Sequence, residues 1–171
     1  MKERTLSCLD KARETVEKIT PLTIDCGRVC GGACCRSLEG EETGMLLFPG
    51  EERYYQELKG YRVKEADQGR LLICSGQCRR EERPLSCRVF PLLPLWRKDG
   101  VKVTMDARAR AVCPLARQGK AALRQEFVEA VRRCGEILAE DEEQRSFLAR
   151  LTEEQDELRA MCRLFGGDGH V

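Results

Sequence analysis

The sequence predicts an α+β protein, mostly α, with an irregular cysteine-rich core, a small β-hairpin and a C-terminal antiparallel helical pair. Three observations carry that prediction. From Leu115 onward apolar residues recur at spacings of three and four, the period of an amphipathic helix. Two short apolar runs flank Lys98-Asp99-Gly100, a hairpin signature. Between residues 26 and 114, cysteine, glycine and proline interrupt every regular pattern.

In chain order, residues 3–20 read as a helix, because Cys8, Ala12, Val16 and Ile19 share one face among charged neighbours. Pro21 ends that pattern. Pro49-Gly50-Glu51-Glu52 reads as a second helix start, its acids suited to the positive end of a helix dipole, with Gly60 stopping it after about residue 58. Leu71-Leu72-Ile73 is a short strand candidate that delivers Cys74. Pro84, Pro91 and Pro94 then break the chain around Cys87. Residues 93–97 and 101–105 form the expected hairpin. Leu123, Phe127, Val131, Cys134 and Leu138 make one helical stripe, and Phe147, Leu151, Leu158, Cys162 and Phe165 make another. Two antiparallel helices would bury these stripes against each other and the rest. The tail GGDGHV is expected to fray. Residues 1–25, 26–114 and 115–171 thus form an N-terminal helix, a cysteine-cluster module and a helical pair, packed as one domain.

Composition narrows the function classes. Hydrophobic residues make up 42% of the 171, enough for a core. Thirty basic against twenty-nine acidic residues leave a net charge of +1, which disfavours nucleic acid or an anionic membrane as the main partner. No apolar run is long enough to span a bilayer. The opening MKERTLSCLDKARETVEK lacks the apolar centre of a secretory signal, so a cytoplasmic location is expected. A reducing compartment argues against a disulfide framework, and eleven cysteines cannot all pair within one chain.

The cysteines sort into two groups. Cys8, Cys134 and Cys162 lie on apolar helical stripes, where cysteine acts as a small hydrophobe. The other eight, Cys26, Cys30, Cys34, Cys35, Cys74, Cys78, Cys87 and Cys113, stand beside glycine, proline or loop. Metal ligation needs that setting, since thiolates from separate segments must converge on one ion in near-tetrahedral geometry. Gly27, Gly31, Gly32 and Gly76 supply backbone freedom near the thiols. The C-x3-C-x3-C-C and C-x3-C-x8-C spacings match neither the usual zinc knuckle nor the ferredoxin runs. Cys26, Cys30 and Cys34 could stack on one helical face, but Gly31 and Gly32 oppose it. Adjacent Cys34 and Cys35 are expected to diverge, one facing a metal while the other serves a second metal, bridges or packs.

Arg28, Arg36, Arg79 and Arg88 lie inside or directly after the cysteine groups and could offset the charge of a thiolate site. His170 is the only histidine, so any compact site must be essentially all-thiolate. A histidine base and a histidine-ligated hydrolytic zinc are excluded as themes. Soft thiolates suit zinc or an iron–sulfur cluster alike, in one site or two. No catalytic constellation stands out.

CGRVCGGACC together with RPLSCRVFP (residues 83–91) resembles the YkgJ-like cysteine-cluster family, the CxxCxxCC-type proteins regarded as zinc or iron chelators. The order of elements matches: a cysteine cluster ending in Cys34-Cys35, an acidic helix from Glu51, Cys74 with Cys78, Cys87 within RPLSCRVFP, then Cys113-Pro114. The resemblance covers about residues 26–114. It departs at the first spacing, which is three residues here, and the helical pair lies outside the shared module. It implies chelation of a metal ion, zinc or an iron–sulfur cluster, with function otherwise largely unassigned. Larger relatives include flagellin lysine N-methylases, so an iron–sulfur enzyme is the alternative, with Arg36, Arg88, Tyr54 and Tyr55 as candidate polar groups. A thiol redox sensor using Cys34 and Cys35, or Cys74 and Cys78, is the other.

Overall fold

A computed structural model describes residues 3–36, 44–74 and 78–165. Gly76, His170 and the GGDGHV tail lie outside them. Helix accounts for 55% and strand for 18%, so the class is α+β with helix predominant, as expected. Strand content is larger than one hairpin supplies.

Helix α1 (Glu3–Thr15) buries Thr5, Cys8, Leu9 and Ala12. It stops five residues before the sequence pattern does, although Val16 is still fully buried. Arg80 gives the reason: its guanidinium donates to the carbonyls of Glu17 (3.1 Å), Val16 (3.2 Å) and Ile19 (2.6 Å). A distant cation thus satisfies carbonyls left free just beyond the helix end.

The expected acidic helix shrinks to one tight turn, Glu51–Tyr54. Its first acid points inward rather than toward solvent. Glu51 is fully buried, pairs with Arg13, and accepts the backbone N–H of Phe48 (3.2 Å) and Leu85 (2.6 Å). The side chain is an interior anchor, not a dipole partner.

Three strands surround this turn in sequence: β1 (Gly44–Leu46), β2 (Tyr61–Ala66) and β3 (Gly69–Cys74). They form an antiparallel sheet ordered β1-β3-β2, with Met45 and Val63 both opposite Leu72. Leu72 is buried, whereas β2 has no buried residue. The second sheet is the expected hairpin, β4 (Leu92–Arg97) with β5 (Gly100–Met105).

After α3 (Leu85–Val89), α4 (Ala109–Val112) and α5 (Pro114–Gln118), two long helices finish the chain: α6 (Gln125–Ala139) and α7 (Glu142–Phe165). They pack together and onto the hairpin, and α6 also lies against α1. The main core joins Leu9 of α1, Leu92, Leu95 and Val103 of the hairpin, Phe127, Val131, Cys134 and Leu138 of α6, and Phe147, Leu148 and Leu151 of α7. Asp141 caps α7 by accepting the N–H of Glu143 and Gln144, each at 3.1 Å, and takes a hydrogen bond from Thr5. Beyond Leu151 the apolar stripe loses its cover. Cys162 is exposed, with Met161 and Leu164, so it is not the packing residue its spacing suggested. Among the described residues, no helix is long and apolar enough to cross a membrane.

Helix α6 approaches the hairpin so closely that only glycine fits at one contact. A Cβ on Gly135 would fall 2.6 Å from Cβ of Pro94 and 2.8 Å from Cγ1 of Val101. Gly135→Ala should therefore destabilise by about 1–3 kcal/mol through overpacking, although alanine is the better helix former. Denaturant midpoints would check this; unchanged stability would mean the hairpin slides away at little cost.

Candidate metal centre

CGRVCGGACC folds as two short helical turns reversed by two glycines. Helix α2 (Cys26–Cys30) begins at Asp25, whose carboxylate accepts the N–H of Gly27 at 3.1 Å. It ends where Gly31 and Gly32 adopt left-handed φ of 64° and 68°, a conformation glycine takes without a Cβ clash. A tight turn, Ala33–Cys35, follows. The i,i+4 spacing puts Cys26 and Cys30 on one face of α2, and the glycines carry Cys34 onto a separate turn. Neither turn has a buried residue.

The downstream half is better anchored. Leu85 and Val89 of α3 are fully buried, which sets Cys87 between two core residues. Ser86 donates to the carbonyl of Leu46, and the N–H of Leu85 reaches Glu51. Arg88, itself buried, donates to the carbonyls of Arg83 (2.9 Å) and Glu81 (2.8 Å). Tyr55 donates to the carbonyl of Glu82 and Tyr61 to its carboxylate, both at 2.9 Å. Cys113 joins α4 to α5 and is buried beside Ala109 and Ala116.

Asp25 and Arg83 tie the halves together. Both guanidinium nitrogens of Arg83 meet both Asp25 oxygens, each at 2.9 Å, with neither side chain fully exposed. Bidentate pairing of this kind fixes orientation as well as distance. Arg83 lines the same cleft as Cys78, and its charge opposes the rise of that thiol.

Between the halves lies a cleft of about 380 Å³. Cys26, Cys30, Cys34, Cys35, Cys78, Cys87 and Cys113 line it, with Leu22, Val29, Met45, Phe90 and Leu115 among its apolar walls. Cys74, at the end of β3, does not line the cleft, but it interacts electrostatically with Cys78 and Cys87. Cys8 and Cys134 are buried elsewhere, Cys8 donating to the carbonyl of Ile137 at 2.9 Å.

Cys34 and Cys35 do not diverge. Their sulfurs are 3.9 Å apart on the cleft wall. Two thiolates on one tetrahedral zinc, at bonds of about 2.3 Å, stand about 3.8 Å apart, so the adjacent pair can face a common ion. The contact with Cys34, helped by the nearby Arg83, pulls Cys35 toward thiolate, while the same contact and burial push Cys34 up. Burial, with the neighbouring thiols Cys35, Cys78 and Cys74, pushes Cys87 well above an ordinary thiol. Cys87 touches the cleft and is otherwise enclosed by protein. Burial, and next the Asp25 charge, raises Cys26; burial raises Cys78 against the opposing pull of Arg83. Such thiols stay protonated unless a cation replaces the proton.

The donor set suits a soft metal: thiols from several chain segments facing one cleft. The thiols are gathered but not closed, since among the described residues no three His, Cys, Asp or Glu side chains are arranged to hold an ion. Binding would draw them inward, which the unburied turns of residues 26–35 permit.

The other candidate polar groups are engaged elsewhere. Arg79 binds Glu82 (2.9 Å) and is exposed, Arg36 makes a long contact (3.4 Å) to the carbonyl of Gly31, and Arg28 is exposed at the cleft rim. Tyr54 pairs with Asp10 and Arg53 on the far side of the acidic turn. Sequence reasoning missed Arg83. Its only signal was position: an arginine before proline at the head of RPLSC, with an acid directly before Cys26. No family model, curated protein or solved structure matches the chain.

Proposed function

We propose that this chain is a metal-binding protein that holds zinc or an iron–sulfur cluster on thiolates drawn from Cys26, Cys30, Cys34, Cys35, Cys74, Cys78, Cys87 and Cys113, as its resemblance to the YkgJ-like cysteine-cluster family implies. One observation carries the reading: seven of these cysteines, remote in sequence, line a single cleft. Thiols left there as packing would favour burial in apolar surroundings, as Cys134 has. A cytoplasmic location belongs to the same proposal, because a reducing environment keeps the donors available. When bound, such a centre supplies structural cross-linking or, as a cluster, electron transfer. The chain's own part is to bring α2, the Ala33–Cys35 turn, α3 and Cys113 to one cleft. The methyl-transfer alternative gains no such support, because Tyr55 and Arg88 spend their polar groups on backbone carbonyls.

Anaerobic purification with elemental analysis and a visible spectrum tests the proposal. Stoichiometric zinc in colourless protein identifies a zinc site, and iron with sulfide and broad visible absorption identifies a cluster. Folded protein that takes up neither metal, with all thiols reduced, would sink it.

A second reading rests on the 3.9 Å contact between Cys34 and Cys35. With one sulfur inclined to thiolate, the pair is suited to oxidation. In this reading a peroxide, itself reduced to water, would take two electrons from the pair to form a Cys34–Cys35 disulfide and release any bound metal. A thiol reductant would restore both thiols.

A further inference from the structure

Accepting the metal-binding reading, we infer that Arg83 is the cation that positions and charge-balances the thiolate centre, with Asp25 as its resting counter-ion. The inference starts from where charge must go. A divalent ion on four thiolates leaves a local charge of about −2. Something beside the sulfurs has to offset it. Among the arginines that the sequence places near the cysteines, Arg28, Arg36 and Arg79 are exposed, and Arg88 spends its guanidinium on its own loop.

Arg83 is placed differently. It lines the cleft together with Cys78, is about one-fifth exposed, and is held there by its two bonds to Asp25. Its charge also reaches Cys26 and Cys35, from the opposite half of the cleft. One cation therefore faces thiols of both halves. Asp25 neutralises it while the thiols are protonated, and Asp25 is retained at the head of α2 by its cap on Gly27. When thiolates form, Arg83 can share its five donors between the carboxylate and sulfur without moving far. Asp25–Arg83 is then more than a strut. It stores the positive charge at the point where negative charge will develop.

Strut and charge balance make different predictions. Co2+ titrations of reduced, metal-free protein would separate them, read by the thiolate-to-metal charge-transfer band. Arg83→Gln should weaken Co2+ binding by about ten- to a hundredfold, the range for lost outer-shell partners of a metal site. It should also move the band to lower energy, because sulfur loses an N–H donor. Arg83→Lys should recover much of the affinity. Asp25→Asn keeps the cap acceptor but breaks the ion pair, and should bind Co2+ as tightly as the parent or more tightly. Equal weakening in Arg83→Gln and Asp25→Asn, with an unshifted band in both, would overturn the inference and leave a strut. Parent protein that shows no thiolate band with Co2+ would overturn the metal-binding reading itself. Circular dichroism of each variant, matched to the parent, ensures that the comparison is made on folded protein.

Discussion

Under the proposed metal-binding function, Cys87→Ser should strip most of the metal that the parent takes up, while Cys134→Ala should leave metal content unchanged. Both thiols sit on helices, but α3 presents Cys87 to the cleft and α6 presents Cys134 to the core. Leu85 and Val89 clamp α3 from either side, so Cys87 has little freedom to move away from a metal, and little freedom to be replaced by a neighbour. It shares the cleft with Cys35 and Cys78, which come from two other segments of the chain. Serine keeps the size but offers a hard oxygen that stays protonated near neutral pH, a poor substitute for thiolate on a soft ion. Cys134→Ala removes only a packed sulfur and should cost about 1–2 kcal/mol. Cys162→Ser should alter stability by no more than about 0.5 kcal/mol, because that thiol is exposed. Elemental analysis and thermal denaturation of the three variants give both readouts. Equal metal loss at Cys87 and Cys134 would show that the division between ligand and packing cysteines is wrong.

Legibility followed burial. The stripe on α6 was readable because Phe127, Val131, Cys134 and Leu138 are all buried, and their period reports the packing directly. The hairpin was readable from its turn residues. Strand β2 was not, because Tyr-Arg-Val-Lys-Glu-Ala lies on a sheet edge, buries no residue and carries charges that look like loop. The end of α1 was set by Arg80, which lies in a different part of the sequence. Cys162 kept its helical period without a partner to cover it, which period cannot report. At the candidate metal centre the thiols were legible as a group, since loop setting and all-cysteine composition are local properties. Their arrangement was not. That Cys34 and Cys35 face the same cleft depends on Gly32 turning the chain, and that Cys74 stands outside it depends on strand pairing with Tyr61. Arg83 became recognisable only once Asp25 was seen opposite it.

The stability of the downstream half should hinge on one buried carboxylate. Glu51→Ala is expected to cost about 3–5 kcal/mol, the range for breaking a buried ion pair from one side. Three donors lose their acceptor together: the guanidinium of Arg13 and the N–H groups of Phe48 and Leu85. Because Leu85 opens α3, the same substitution should loosen Cys87 and weaken metal binding. Arg13→Met asks the converse question. Burial already raises the Glu51 carboxyl, with Arg13 opposing the rise. Arg88, Tyr55, Cys87 and Cys134 also feel its charge. Without Arg13 the carboxyl should rise further and take up a proton in the folded state. Between its unfolded value, about 4.3, and that raised folded value, the native protein binds more protons than the unfolded chain. Stability therefore increases as pH falls through this window and levels off below it. Arg13→Met should consequently lose much of its deficit between about pH 7 and pH 5, whereas Glu51→Ala has no carboxyl at position 51 to titrate and its deficit should not shrink over the same range. Denaturant midpoints at the two pH values distinguish them. An Arg13→Met protein that grows less stable on acidification relative to the parent would mean that Glu51 remains ionised without its partner, held by the two backbone N–H groups alone.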